Sequence, residues 1–237
     1  MKIVSQNVEI INMNHTGKQI EYCGRICYNS YDKINENSWS DFVSRCINRG
    51  HTSILEFGLY FIHDDLSSHR KHYIRKISDN LYMTNFRAMY VDLKYPSETL
   101  LKLMDTEIDN EIKSRFLILK IRTNRAISHQ LVRHRTFSFL QRSDRYVRRN
   151  ELVIIPPVAK SLKLFADIEI EYLNLLNKYP PQTARMVLPQ CVETEILMGG
   201  YHDNWIEFLK LRNSPKADPQ MQELAKLIDG KVKEWFD

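Results

Sequence analysis

His129-Gln130-Leu131-Val132-Arg133-His134-Arg135-Thr136-Phe137-Ser138-Phe139-Leu140-Gln141-Arg142-Ser143-Asp144-Arg145-Tyr146 is the stretch on which the reading of this chain turns. Just upstream, Asn124 or Thr123 is placed to cap a helix whose buried stripe is Ile127, Leu131 and Val132. Three- and four-residue spacing then groups Gln130, Arg133 and His134 on its polar face. Between positions 133 and 149 there are six arginines and a single acid, Asp144. Guanidinium forks meet phosphate oxygens at two points and stay charged, so Arg133, Arg142 and Arg145 suit a phosphate. Gln130 and Gln141 each carry a donor beside an acceptor, which suits the imide edge of a pyrimidine. Two other readings stay open: a solvated basic helix end, or a nucleic-acid surface with Phe137, Phe139 and Tyr146 stacking between arginines.

Outward from this stretch, periodicity supports a mixed α and β chain. The first nine residues alternate like a strand, 20–28 reads as a short helix, and 38–48 as another with Phe42, Val43, Cys46 and Ile47 on one face. Gly50 is placed to close that helix as its C′ residue. The apolar, aromatic run 57–62 reads as a strand. From 64 to 114 the pattern is mixed, with the basic cluster His69-Arg70-Lys71-His72, and it reads as an inserted subregion; 116–121 returns to strand composition. Leu162, Phe165, Ile168, Tyr172, Leu176 and Tyr179 mark a long amphipathic helix closed by Pro180-Pro181. A shorter helix is expected over 183–188 and another over 205–211. Asp218-Pro219 then forms an N-cap and N1 pair for a last helix with Met221, Leu224, Ala225, Ile228, Val232 and Trp235 inward.

Composition sets the bounds. A chain of 237 residues, 43% hydrophobic and 27% charged, is ordinary globular material, and with seven glycines and eight prolines it has no flexible linker. One domain over 1–237 is the expectation. The N-terminus lacks a signal-peptide h-region, and no segment reaches the ~20 apolar residues that span a bilayer, so a cytoplasmic protein without membrane contact is expected. The four cysteines, Cys23, Cys27, Cys46 and Cys191, have no repeated pair spacing, which argues for free thiols and no metal site.

Arg-His-Arg, seven residues, Ser, then Arg and Tyr resembles the signature of flavin-dependent thymidylate synthases. Gly24-Arg25-Ile26-Cys27-Tyr28-Asn29-Ser30 and Gly50-His51-Thr52-Ser53-Ile54-Leu55-Glu56-Phe57 resemble two N-terminal blocks of that family. Ala184-Arg185-Met186-Val187-Leu188-Pro189, the run from Trp205 to Arg212 and Ala217-Asp218-Pro219-Gln220-Met221 resemble C-terminal ones. The blocks stand in the family's order over roughly two thirds of the chain.

The resemblance implies an α+β fold with a central antiparallel sheet and long helices, assembled as a homotetramer with active sites shared between subunits. It implies methylation of dUMP to dTMP, with methylenetetrahydrofolate as carbon donor, FAD as cofactor and NADPH as its reductant. Gln130, Arg133, Gln141, Arg142, Ser143, Asp144, Arg145, Arg185 and Arg212 are the implied dUMP ligands, with Arg133, Ser143 and Arg212 as the catalytic set. His51, Ser53, Glu56, Arg133, His134 and Arg135 are the implied FAD contacts. The family often has Glu at Gln141 and His at Phe57. Its Asn-x-Arg triplet falls on Tyr201 and Asp203 here, and Asn85-Phe86-Arg87 is the alternative source of those FAD contacts. Gln141 and Asp203 leave open another pyrimidine nucleotide as substrate, or a hydroxymethyl product. Ser143 reads as a ligand rather than a nucleophile, because a hydroxyl needs an adjacent base and nothing in the sequence brings His134, which could serve, within hydrogen-bond reach. Cys191 has no neighbour that would activate it.

Overall fold

The computed structural model of the chain describes residues 1–63, 66, 73–156 and 162–236; the cluster His69-Arg70-Lys71-His72 lies outside them. Two short strands, β1 (Lys2–Ile3) and β2 (Asn7–Ile10), precede helices α1 (Thr16–Arg25) and α2 (Ser38–Asn48). α1 starts earlier than the apolar periodicity suggests, because His15 caps it, accepting the Lys18 amide at 3.4 Å. α2 has the expected bounds. Gly50 takes a φ of 73°, and the Gly50 and His51 amides donate back to Ile47 and Cys46 at 2.9 and 2.8 Å, closing the helix end.

The strand expected over 57–62 starts later. Thr52–Phe57 is a 3-10 helix, Gly58 follows, and β3 spans Leu59–His63. Gly58 is required by closeness alone: a Cβ there would lie 2.5 Å from Ile20. Strands β4 (Ile74–Ser78) and β5 (Leu81–Asn85) complete an antiparallel sheet in the order β3-β5-β4. Helices α3 (Phe86–Val91), α4 (Ser97–Met104) and α5 (Asn110–Arg115) follow. The stretch read as inserted thus puts Tyr82, Met83, Phe86, Met89, Leu100 and Met104 into the same core as Ile20, Phe42, Val43 and Leu55.

Strand β6 (Phe116–Asn124) leads through α6 (Arg125–Leu131) to β7 (Ser138–Gln141) and β8 (Val153–Ile154). Helices α7 (Leu162–Leu176) and α8 (Pro181–Ala184), strand β9 (Glu193–Tyr201) and helices α9 (His202–Arg212) and α10 (Pro219–Phe236) complete the chain. β2, β6, β9 and β7 form, in that order, a four-stranded antiparallel sheet, and β1 pairs with β8 in parallel. β6 and β9 pair along their whole length, from Phe116 opposite Tyr201 to Asn124 opposite Glu193. Successive β6 side chains point to opposite faces. Phe116 and Ile118 join the α1/α2 core, whereas Leu117, Leu119 and Ile121 meet Trp205, Phe208, Met221, Leu224 and Ile228 of α9 and α10. Both faces being covered, the first four residues of β6, Phe116 to Leu119, are all apolar.

Of the two possible caps, Asn124 serves α6, accepting the Ile127 amide at 2.9 Å, while Thr123 donates to Gln6 at 2.7 Å. The helix ends at Leu131, so Val132, expected in the buried stripe, is 40% exposed. Tyr172 and Leu176 bury their side chains on α7, but Leu162 and Tyr179 at the ends of that stripe are exposed. The following helix starts earlier than expected because Pro181 occupies its first turn, where a missing N–H costs nothing.

A Cβ on Gly200 would fall 2.4 Å from two ring atoms of Phe137. Gly200→Ala is expected to lower stability in urea denaturation by about 1–3 kcal/mol, the usual cost of overpacking. Shortening the ring in the same chain with Phe137→Leu should recover part of that loss; an unchanged midpoint for Gly200→Ala would mean that strand and ring do not touch.

Candidate active site

Charge decides the shape of the segment after β7. Asp144 is 2% exposed and its carboxylate is held from two sides. Arg149 donates Nε and Nη2 to Oδ1 at 2.9 and 2.7 Å, and Arg125 donates Nη1 to Oδ2 at 2.8 Å. Arg142 pairs with the buried Glu193 carboxylate and donates to the Glu193 carbonyl at 3.0 Å, a carbonyl that also receives Arg149 at 2.8 Å. Arg142 and Asp144, expected at a nucleotide, therefore serve as internal ties between this segment, the start of α6 and the start of β9. The physical reason is burial: a carboxylate out of water needs a full set of donors, and these arginines supply it.

The ties fix Ser143, whose amide donates to the Cys27 carbonyl at 3.2 Å. Ser143 lines a cavity of about 380 Å³ together with Gln141, Tyr146, Tyr28, His51, Ser53 and Arg87. The quoted arginine-rich stretch and the Gly50–Phe57 block thereby meet, although they lie far apart in sequence. Tyr28 Oη and His51 Nδ1 share a hydrogen bond of 2.8 Å on one wall. Arg87 forms a salt bridge with Glu56. Gln141 donates Nε2 to Ser128 Oγ at 3.0 Å and to Thr194 Oγ1 at 3.1 Å, which leaves its Oε1 as the end available to a ligand. Ser143 Oγ accepts the Arg145 amide at 3.4 Å.

Other expected residues form a second group. Arg212 Nε donates to His134 Nε2 at 2.9 Å, and Gln130 Nε2 donates to Asp218 at 3.4 Å. His134 stands edge-on to Phe208 at 4.8 Å between ring centroids. Burial, and then the neighbouring Arg212, push the His134 imidazole down to about 4. His134 is thus neutral at pH 7 and engaged with Arg212, not with Ser143. Arg133, Arg135 and Arg145 are exposed, and Arg185 follows α8; the described residues lining the cavity include none of the four.

Asn85 is also redirected. Its Oδ1 accepts the Ala88 amide at 2.8 Å, so it caps α3, and of its triplet Arg87 alone reaches the cavity. At the positions of the expected Asn-x-Arg triplet, Arg75 of β4 lies 3.8 Å over the Tyr201 ring and pairs with Asp203 at 2.7 Å. Nothing in the sequence marked Arg75, nor Thr194 beneath Gln141. Tyr28 stood inside a quoted block without an assigned part. Phe137, offered as a base-stacking ring, is buried against Trp205 at 4.7 Å. The Cys191 thiol is pushed up by burial, away from reactivity.

With this geometry in hand, comparisons with known proteins are informative. A family model described as thymidylate synthase complementing protein matches residues 92–236. A flavin-dependent thymidylate synthase of Corynebacterium efficiens is 28% identical over 242 residues, covering 91% of this chain and 74% of that protein. Proteins of the same description from Mycobacterium avium and Mycobacterium tuberculosis are each 26% identical over 233 residues, covering 87% of this chain and 71% of theirs.

The state of His134 is directly measurable. Because its pKa lies below the ordinary 6.5, the unfolded chain binds this proton first as pH falls. The contribution is present above pH 6.5 and is lost on the way down to about pH 4. In NMR titration the His134 C2–H resonance should still report neutral imidazole at a pH of about 5.5, and Arg212→Ala should raise the midpoint. A midpoint near 6.5 in the parent chain would contradict the burial and pairing described.

Proposed function

The chain belongs to the thymidylate synthase complementing protein family, and from that premise we propose that it converts dUMP to dTMP, taking the carbon from methylenetetrahydrofolate and using FAD and NADPH. The observation that carries this reading is a single cavity in which His51, Ser53 and Arg87, the residues expected at the flavin, face Gln141 and Ser143, expected at the nucleotide.

The lining suits both ligands. Tyr28, Tyr146 and His51 offer aromatic surface to a flat ring, Ser53 a hydroxyl, and Arg87 a fixed cation. His51, Ser53, Glu56 and Arg87 would hold FAD from this side. When reduced, the cofactor supplies the hydride equivalents that complete the methyl group. About 380 Å³ takes a ring system and not a whole dinucleotide, so we assign the remaining FAD contacts to Arg133, His134 and Arg135 of another subunit. Gln130, Arg133, Arg185 and Arg212 of another subunit would likewise complete the dUMP site, joining Arg145 around the phosphate and the uracil oxygens. A homotetramer with shared sites gives these residues their work. Leu164, Ile170 and Met186, at 55%, 60% and 78% exposure, offer apolar surface for such contacts. We take the whole of 1–237 as one domain of the family's type, in which α7 and α10 are the long helices beside the antiparallel sheet, and we place it in the cytoplasm.

Gln141 bears on the substrate. With Nε2 committed to Ser128 and Thr194, its free Oε1 accepts a hydrogen bond, which matches the N3–H of uracil. Cytosine presents an acceptor at N3, so the amide favours dUMP over dCMP. Ser143 Oγ, which has no hydrogen bond to a base among the described residues, binds rather than attacks. The nucleic-acid reading loses one of the three rings that motivated it, since Phe137 is part of the core while Tyr146 stays exposed. No helix among the described residues is long and apolar enough to cross a membrane.

Purified protein should show a flavin absorption spectrum and release tritium from C5-labelled dUMP when given NADPH and methylenetetrahydrofolate, with much slower release from labelled dCMP. A colourless protein that stays inactive after addition of FAD would overturn the assignment, and turnover of dCMP without dUMP would redirect it to another pyrimidine nucleotide. Arg87→Ala should weaken FAD binding by about 10- to 100-fold, the usual worth of a hydrogen bond to a charged group, as read by fluorescence titration.

A further inference from the structure

A second cavity, of about 340 Å³, adjoins the first and shares Tyr28 and His51 with it. Among the described residues its lining includes Arg25, Lys33, Arg45 and Arg49 and no carboxylate. Arg25 is already satisfied: it is buried, pairs with Glu21 at 2.6 Å and lies over Phe42. The other three are not. Lys33, Arg45 and Arg49 are exposed, and none has an ion pair among the described residues. Arg45 lies in the last turn of α2 and Arg49 is its C-cap residue, about 6 Å farther along the axis, and Lys33 approaches from the separate turn before that helix. A helix C-terminus favours one or two cations by itself, but it does not call for a third from another element. Three like charges around one opening repel each other until an anion arrives.

Resting on the function proposed above, we infer that this cavity holds the carboxylate-bearing glutamyl tail of the folate co-substrate, with Lys33, Arg45 and Arg49 as its recognition residues. The folate ring end has to reach the cavity of Gln141 and His51, and the tail leaves by whichever opening adjoins it. The Tyr28–His51 pair is the partition between the two. Guanidinium forks fit carboxylates as well as phosphates, and an open, solvated site suits a flexible chain in which each added residue brings one more carboxylate. Of the other anionic groups among the reactants, the dUMP phosphate is assigned above to other residues and the phosphates of NADPH are compact, whereas the cations here are spread along a helix and a turn.

The test compares the monoglutamate and triglutamate forms of methylenetetrahydrofolate in the tritium-release assay with the holoenzyme. The KM for the triglutamate should be lower by about 5- to 10-fold, the combined worth of a few exposed ion pairs, and added salt should erase the difference. In Arg45→Gln/Arg49→Gln the loss should fall on the triglutamate KM rather than on kcat, and Lys33→Gln should lose part of the same advantage; circular dichroism checks that each variant is folded. Equal KM values for the two tail lengths in the parent enzyme would overturn the inference while leaving the proposed function intact. A raised NADPH KM with an unchanged folate KM in the double variant would also overturn it, in favour of the phosphate. A parent protein that binds flavin but releases no tritium would overturn both readings.

Discussion

Asp144 and Glu193 are two of the carboxylates buried among the described residues, and the arrangement of the site follows from having to compensate them. An ionised carboxylate removed from water without partners costs several kcal/mol. Neither group faces that cost, because Arg125, Arg142 and Arg149 converge on them from the start of α6 and from both ends of the segment after β7. Glu193 opens β9 and Asp144 follows β7, so satisfying the charges also joins the sheet to the turn that carries Ser143. The arginine-rich stretch is thereby divided by physical role. Arg142 and Arg149 are spent inside, while Arg133, Arg135, Arg145 and Arg148 stay in solvent.

Much of this was legible in the sequence wherever a local rule suffices. The bounds of α2 follow from the spacing of Phe42, Val43, Cys46 and Ile47, and its closure at Gly50 and the Asp218-Pro219 start of α10 from capping chemistry within a few residues; the structure has all three. β9 carries no such local signal. Its nine residues, Glu193–Tyr201, contain two glycines, which weaken any strand signal taken alone. Those glycines exist because Phe116 and Phe137 pack over the backbone, a fact that requires distant parts of the chain. The same limit explains Arg142 and Asp144: spacing showed guanidiniums and a carboxylate near one another, but burial decides whether they face a ligand or each other. Arg75 and Thr194 were beyond reach because only tertiary contact gives them a part.

The departures from the family pattern are each absorbed differently. Phe57 is fully buried in the α1/α2 core and its carbonyl receives Gln19 at 2.7 Å, so a ring without polar atoms suits a place where an imidazole would need partners. Asp203 comes with its own cation, since Arg75 from β4 lies over Tyr201 and reaches both Asp203 and Asn204. A guanidinium thus stands beside these positions although the sequence there carries an acid. Gln141 keeps its place in the cavity and changes what it offers, from a carboxylate to an amide whose donor end is tied down.

The separation of the expected ligands into two groups is a consequence of β7 itself. Arg133, His134 and Arg135 precede this strand, and Gln141, Ser143 and Arg145 end or follow it. An extended strand rises ~3.3 Å per residue, so the passage from Ser138 to Gln141 alone separates the two sets by roughly 10 Å. Pairing with β9 keeps the strand straight, Ser138 opposite Gly199 and Gln141 opposite Ile196, so it cannot fold back to bring them together. One compact ligand cannot be gripped by both ends of a rigid strand. Either the ligand is long, as a dinucleotide is, or the two ends serve different copies of the site, and an enzyme that must bring a dinucleotide, a nucleotide and a one-carbon donor to one place has use for both.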